Sequence, residues 1–163
     1  MFIAGLPRSR TAWLSVFMSQ SGIYFHHEAI NGCHSIDEYT DKISGCGDSS
    51  TALTSIGVDV IKGSKVVVIH KNDEQLEKCI SWCDVTYGMD SREFITNGSK
   101  DLRMLKGLHI QQSDIDFKLK DIWEYLVDTE WDNKYSNLKH LNIQVNSTEI
   151  DKMAAVALYE SIQ

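Results

Sequence analysis

The chain has 163 residues, 42% of them hydrophobic, and a formal net charge of −7. That size and apolar share suit one domain with its own core and leave little room for two. The acidic balance repels phosphate backbones, which argues against nucleic acid as a partner. No apolar run reaches the ~18 residues of a membrane span. No basic segment leads into a long apolar run, so no leader and a cytoplasmic protein are expected.

Phe2 to Gly5 is a short apolar run ending at glycine and predicts a strand. Ser9 to Ser21 carries Ala12, Trp13, Val16 and Phe17 at helical spacing, and Gly22 closes that helix. Ile23-Tyr24-Phe25 predicts a second strand that runs into His26-His27-Glu28. Asn31 to Asp48 is polar, with a short helix over Ile36–Ile43, and Gly45 to Ser50 reads as a surface turn. Leu53–Ile56 is expected to be another short helix, closed by Gly57.

Lys65 to His70 is a β-branched run of the kind buried on both faces. Asn72 or Asp73 then caps a helix over Glu74–Asp84. Ser91 to Leu108 contains a helix blurred by Asn97-Gly98. Asp116 to Asp128 is amphipathic, apolar at Phe117, Ile122, Trp123, Leu126 and Val127. A helix over Asp132–His140, an alternating strand over Leu141–Val145 and a final helix capped by Ser147 or Thr148 complete the chain.

Strands that alternate with helices predict an α/β fold. The expected form is a three-layer domain over residues 1–163, with a mostly parallel central sheet flanked by helices. Ligands in such sheets sit beyond the carboxyl ends of the strands. Cys33, Cys46, Cys79 and Cys83 match neither a disulfide framework nor a zinc spacing, and no metal is expected. Trp13, Trp82 and Trp123 lie on apolar helix faces and read as core, while Trp131 opens a helix.

The densest chemistry lies between the first strand and the first helix. Gly5 allows a turn, and Pro7, the only proline, stiffens it. Arg8 and Arg10 bring fork-shaped donors, and Ser9 and Thr11 bring hydroxyls. A helix N-terminus directly behind such a loop offers free N–H groups and the positive end of the macrodipole. The expected ligand is therefore a phosphorylated small molecule. The ATPase form G-x-x-x-x-G-K-[ST] needs glycine and lysine where this chain has Arg10 and Thr11.

The loop resembles instead the phosphosulfate loop of sulfotransferases, G-x-P-[RK]-S-G-T-[TS]-x-[LF]. Gly5, Pro7, Arg8, Ser9, Thr11 and Leu14 match it; Arg10 replaces the second glycine and Ala12 a hydroxyl residue. The resemblance implies a P-loop fold and 3′-phosphoadenosine 5′-phosphosulfate as donor. It implies that Gly5, Pro7, Arg8, Ser9, Arg10, Thr11 and Ala12 hold the 5′-phosphate, with Arg8 neutralising the leaving oxygen. It also implies a general base after the second strand, Glu28 first and His27 second, acting on an unknown hydroxyl or amine acceptor.

Val66 to Trp82 is similar to the family's second motif, R-[DN]-P-x-x-x-x-x-S. Lys71 falls at its arginine, Cys79 at its serine and Asp73 at its proline, which implies a 3′-phosphate site at Lys71 and Cys79. Trp131 to Tyr135, Leu138 and Leu141 to Val145 resemble the C-terminal part of short sulfotransferase-like proteins of phages and environmental sequences. Two alternatives stay open. One is a magnesium-dependent phosphotransferase with Asp48 near the loop to hold the ion. The other is a non-catalytic phosphate- or nucleotide-binding protein with a degenerate P-loop fold.

Overall fold

The computed structural model describes residues 1–53, 58–135 and 147–162. Five strands form in chain order: β1 (Phe2–Gly5), β2 (Phe25–His27), β3 (Gly47–Ser50), β4 (Val66–His70) and β5 (Leu108–Gln111). They pair in parallel throughout, in the order β2-β3-β1-β4-β5. Among the described residues six α-helices accompany them: α1 (Thr11–Ser19), α2 (Ile36–Lys42), α3 (Asp73–Tyr87), α4 (Arg92–Met104), α5 (Leu119–Leu126) and α6 (Ser147–Ile162). The fold is three-layered α/β, as the alternation of elements predicts.

Alternation along the central strands divides the core. Phe2, Ala4, Val66 and Val68 pack toward Tyr39 of α2, Cys79 and Ile80 of α3, and Ile95 and Leu102 of α4. Ile3, Val67 and Ile69 pack toward Leu14 and Phe17 of α1 and Ile122 and Trp123 of α5. A third small cluster joins Val16 of α1 to Ile150, Ala154 and Ala157 of α6. From β1 the chain runs by way of α1 to the β2 edge, while the β3-to-β4 connection passes to the other side. The carboxyl end of β1 is therefore a switch point, where α/β sheets open a crevice.

Local chemistry explains where the helices stop and start. The Asn72 side chain accepts the Gln75 N–H at 2.8 Å, and the Gln75 side chain accepts the Asn72 N–H at 3.1 Å. That capping box starts α3, which runs on past Asp84 to a left-handed Gly88 at φ 66°. β2 begins at Phe25, later than the sequence suggests, and Phe117 is 87% exposed in a 3-10 turn (Gln112–Phe117) ahead of α5. The expected strand at Leu141–Val145 and most of the expected helices at Leu53–Ile56 and Asp132–His140 lie outside the described residues.

Two strands depart from the sequence reading. β5 begins at Leu108, the last residue of the stretch expected to contain a helix, and continues over residues for which no element was expected. β3 is the larger correction, because Gly47-Asp48-Ser49-Ser50 is a buried interior strand rather than a surface turn. Its polar side chains are tolerated because each has a partner. Ser49 Oγ donates to the Thr11 carbonyl at 2.7 Å, and Ser50 Oγ donates to Glu28 at 2.6 Å. The Asp48 carboxylate accepts the Ala29 N–H at 3.1 Å and the Tyr39 hydroxyl at 2.8 Å. Gly47 is required because a Cβ there would stand 2.3 Å from the Phe25 ring.

Burial of Asp48 is the dominant influence on its acidity and pushes its pKa from 3.8 up to about 6. A carboxyl raised on folding favours the native state while it is unionised. That contribution is complete below the unfolded value and is lost as pH rises through about 6. Asp48→Asn keeps an oxygen for Ala29 and removes the buried charge. It is expected to raise stability at pH 7.5 by up to about 3 kcal/mol, and to flatten the change between about pH 4 and 6. Urea denaturation at pH 4 and 7.5 measures this; a less stable variant at pH 7.5 would show that the ionised carboxylate is well accommodated.

Candidate functional site

The segment between β1 and α1 folds as two consecutive tight features. The Ser9 N–H donates to the Leu6 carbonyl at 3.1 Å, closing a four-residue turn over Pro7 and Arg8. Proline at the second place and a positive φ of 62° at Arg8 in the third are the marks of a type II turn, where glycine is the usual third residue. Arg10, the residue before α1, is also left-handed, at φ 62° and ψ 20°. Glu28, just after β2, has φ 57°. Among the described residues these are all of the non-glycine residues with positive φ, and all lie beyond the carboxyl ends of β1 and β2. Such conformations cost about 1–3 kcal/mol each and persist where surrounding contacts hold them.

Gly5 serves this loop by its size. A Cβ at Gly5 would stand 2.8 Å from the Ser9 Cβ, so the loop could not fold back over the end of β1. Ser9 is completely buried, and its hydroxyl has no partner.

The first helical bond of α1 runs from the Leu14 N–H to the Arg10 carbonyl at 2.9 Å, leaving the Thr11, Ala12 and Trp13 N–H groups ahead of it. No side chain caps this end and no acidic residue lies in its first turn; every other described α-helix has one there. The positive end of the dipole is thus left uncompensated by the protein.

The two arginines differ. Arg10 donates to Asp116 at 2.8 Å and lies 4.5 Å from the Trp13 ring centre. Arg8 is exposed, has no ion pair among the described residues and lies 5.6 Å from the ring centre of half-buried Trp82. Trp82 therefore touches the loop as well as the core.

Lys71 and Cys79 approach the loop from below. Lys71 is 7% exposed, and its ammonium donates to the Arg8 carbonyl at 3.0 Å and to Gln112 Oε1 at 2.6 Å. Burial pushes its pKa down to about 8. The Cys79 thiol donates to the Pro7 carbonyl at 3.2 Å and is pushed by burial to about 11, so it stays protonated and unreactive.

Beside the loop, the His27 Nε2 lies 3.4 Å from Thr11 Oγ1 and 3.9 Å from Glu28 Oε1. Desolvation lowers the His27 pKa against the opposing charges of Glu28 and Asp151, which keeps the ring neutral at pH 7. Its Nδ1 is buried without a partner. The Glu28 carboxylate is held by three donors: Ser50 Oγ, the Thr51 N–H and Thr51 Oγ1 donate to it at 2.6, 2.7 and 2.8 Å.

Asp48 does not reach the loop. It pairs with Phe2 at the start of β1 and is enclosed by Ala29 and Tyr39, which corrects its expected place as an ion ligand there. Gln112 and Asp116, which the sequence reading passed over, hold Lys71 and Arg10 from the segment after β5. A cleft of about 170 Å³ continues from that segment, lined by His70, His109, Gln111, Asp114 and Lys118. A wider groove of about 370 Å³ on α4 is lined by Asp90, Glu93 and Asp101, which would repel an anion. No protein-family model matches the chain, and no curated protein matches it.

The turn geometry sets the order of two variants. Arg8→Gly and Arg8→Ala lose the same side chain, but only glycine enters the left-handed region freely. Arg8→Gly is expected to be about 1 kcal/mol more stable than Arg8→Ala in thermal unfolding. The reverse order, normal where φ is negative, would contradict the turn.

Proposed function

We propose that the protein is a small sulfotransferase-like enzyme. It takes the 5′-phosphosulfate end of 3′-phosphoadenosine 5′-phosphosulfate in the β1–α1 loop and passes the sulfuryl group to a hydroxyl or amine acceptor. The observation that supports this most is the start of α1, which no side chain caps and no first-turn carboxylate faces, directly behind a loop whose exposed Arg8 has no ion pair among the described residues. In this reading a phosphate takes the N–H donors and the positive end of the dipole, and Arg8 turns to it from the loop. The resemblance of the loop to the phosphosulfate pattern supports a sulfuryl donor over a phosphoryl donor. So does the burial of Asp48 away from the loop.

In this reading the acceptor oxygen or nitrogen attacks sulfur. The bond from sulfur to the phosphate oxygen breaks, and its electron pair stays on the phosphate. The loop N–H groups and Arg8 stabilise the charge that develops on that oxygen. His27 is better placed than Glu28 to receive the acceptor proton, because its ring is neutral and faces Thr11, whereas Glu28 is occupied by three donors. The nearby Glu28 and Asp151 charges favour the imidazolium that results.

Thermal stabilisation by adenosine 3′,5′-bisphosphate, with little response to ATP plus magnesium, is the expected pattern. Arg8→Ala should weaken bisphosphate binding by about 10- to 100-fold, the worth of one charge-assisted contact. A magnesium-dependent preference for ATP would replace this reading with the phosphotransferase. His27→Gln should retain binding and lose about 10²- to 10⁴-fold in turnover. Because burial lowers the His27 pKa, the wild-type rate should hold at neutral pH and fall only at pH values below the ordinary 6.5. A pH profile with no such acid limb would move the base elsewhere.

A further inference from the structure

We infer that this site, given the phosphosulfate reading above, grips its nucleotide by the 5′ group alone, and that Lys71 and Cys79 hold the loop instead of a 3′-phosphate. The ligand class is then nucleotide 5′-phosphates and 5′-phosphosulfates, whatever the 3′ position carries.

The donors decide the matter. A thiol has one proton, and the Cys79 thiol directs it at the Pro7 carbonyl, from a residue only 1% exposed. The Lys71 ammonium spends two bonds on the Arg8 carbonyl and Gln112.

The two carbonyls they hold are consecutive and belong to the peptides on either side of the Arg8 Cα. Arg8 is left-handed there and needs outside contacts to persist. A buried donor beneath each carbonyl supplies them. Gln112, half-buried, accepts a second bond from the ammonium and helps to hold it at the loop. Lys71 and Cys79 are therefore positioning residues, and the exposed cation at this end of β1 is Arg8.

Calorimetric titration of the intact protein with adenosine 5′-monophosphate, adenosine 3′-monophosphate and adenosine 3′,5′-bisphosphate tests this. The 5′-monophosphate and the bisphosphate should bind within threefold of each other, and the 3′-monophosphate at least tenfold more weakly than either. Lys71→Met should weaken both 5′ ligands by a common factor, because it acts through the loop. Cys79→Ala, a milder change, should do the same and serves if Lys71→Met does not fold. A bisphosphate lead above threefold that Lys71→Met erases would overturn the inference and restore a 3′-phosphate contact. Failure of all three ligands to bind would instead overturn the phosphosulfate reading on which the inference rests.

Discussion

The buried ammonium of Lys71 donates to the carbonyl of Arg8, and the carboxyl end of the sheet is organised around that bond. Sheet register creates it. Ile69 of β4 pairs with Gly5 of β1, so Lys71 emerges beside the loop just as the loop turns away. Desolvating an ammonium opposes folding, as its lowered pKa records. What it secures is a turn with arginine where glycine would be easier. That turn leaves the Arg8 side chain exposed, against the Trp82 ring, in the loop that leads into α1. The Cys79 thiol and the Gln112 amide complete the support, one under the neighbouring carbonyl and one behind the ammonium.

This arrangement is how an acidic chain could hold the anion site proposed for it. A net charge of −7 sets a repulsive background, which salt screens over about 8–10 Å. Close to the loop, local features reverse it. The first turn of α1 has no carboxylate, Arg8 has no ion pair among the described residues, and the carboxylates of Asp116 and Glu28 have partners of their own. Asp116 is bound to Arg10, and Glu28 is bound by Ser50 and Thr51. The neutral ring of His27 adds no repulsion toward an incoming acceptor.

β1, the loop, α1 and β4 were legible in the sequence because each follows a local rule. An apolar run stops at glycine, charged residues gather before a helical pattern, and β-branched residues run unbroken. β3 was not, because its polar residues become tolerable only through partners distant in sequence: Tyr39, Thr11 and Glu28. β5 is no shorter than β1 but buries only Ile110 and has no apolar run to mark it, and the residues that follow it, Gln112 and Asp116, were missed with it. Lys71 and Cys79 were found by their spacing from the strand. Spacing brings them to the loop without saying which side of it they face, and they face its backbone. The left-handed φ of Arg8, Arg10 and Glu28 has no sequence signature, since glycine and asparagine are the residues that announce it.

The central claim is that the β1–α1 loop and the first turn of α1 take a phosphate. Amide chemical-shift mapping with adenosine 5′-monophosphate tests it at the atoms concerned. The account predicts that the largest saturable shifts fall on the N–H groups of Arg10, Thr11, Ala12 and Trp13, and that Arg8→Ala raises the concentration needed to reach them by about 10- to 100-fold. Shifts centred on the His70–His109 cleft, or unchanged amides in the loop at saturation, would contradict it.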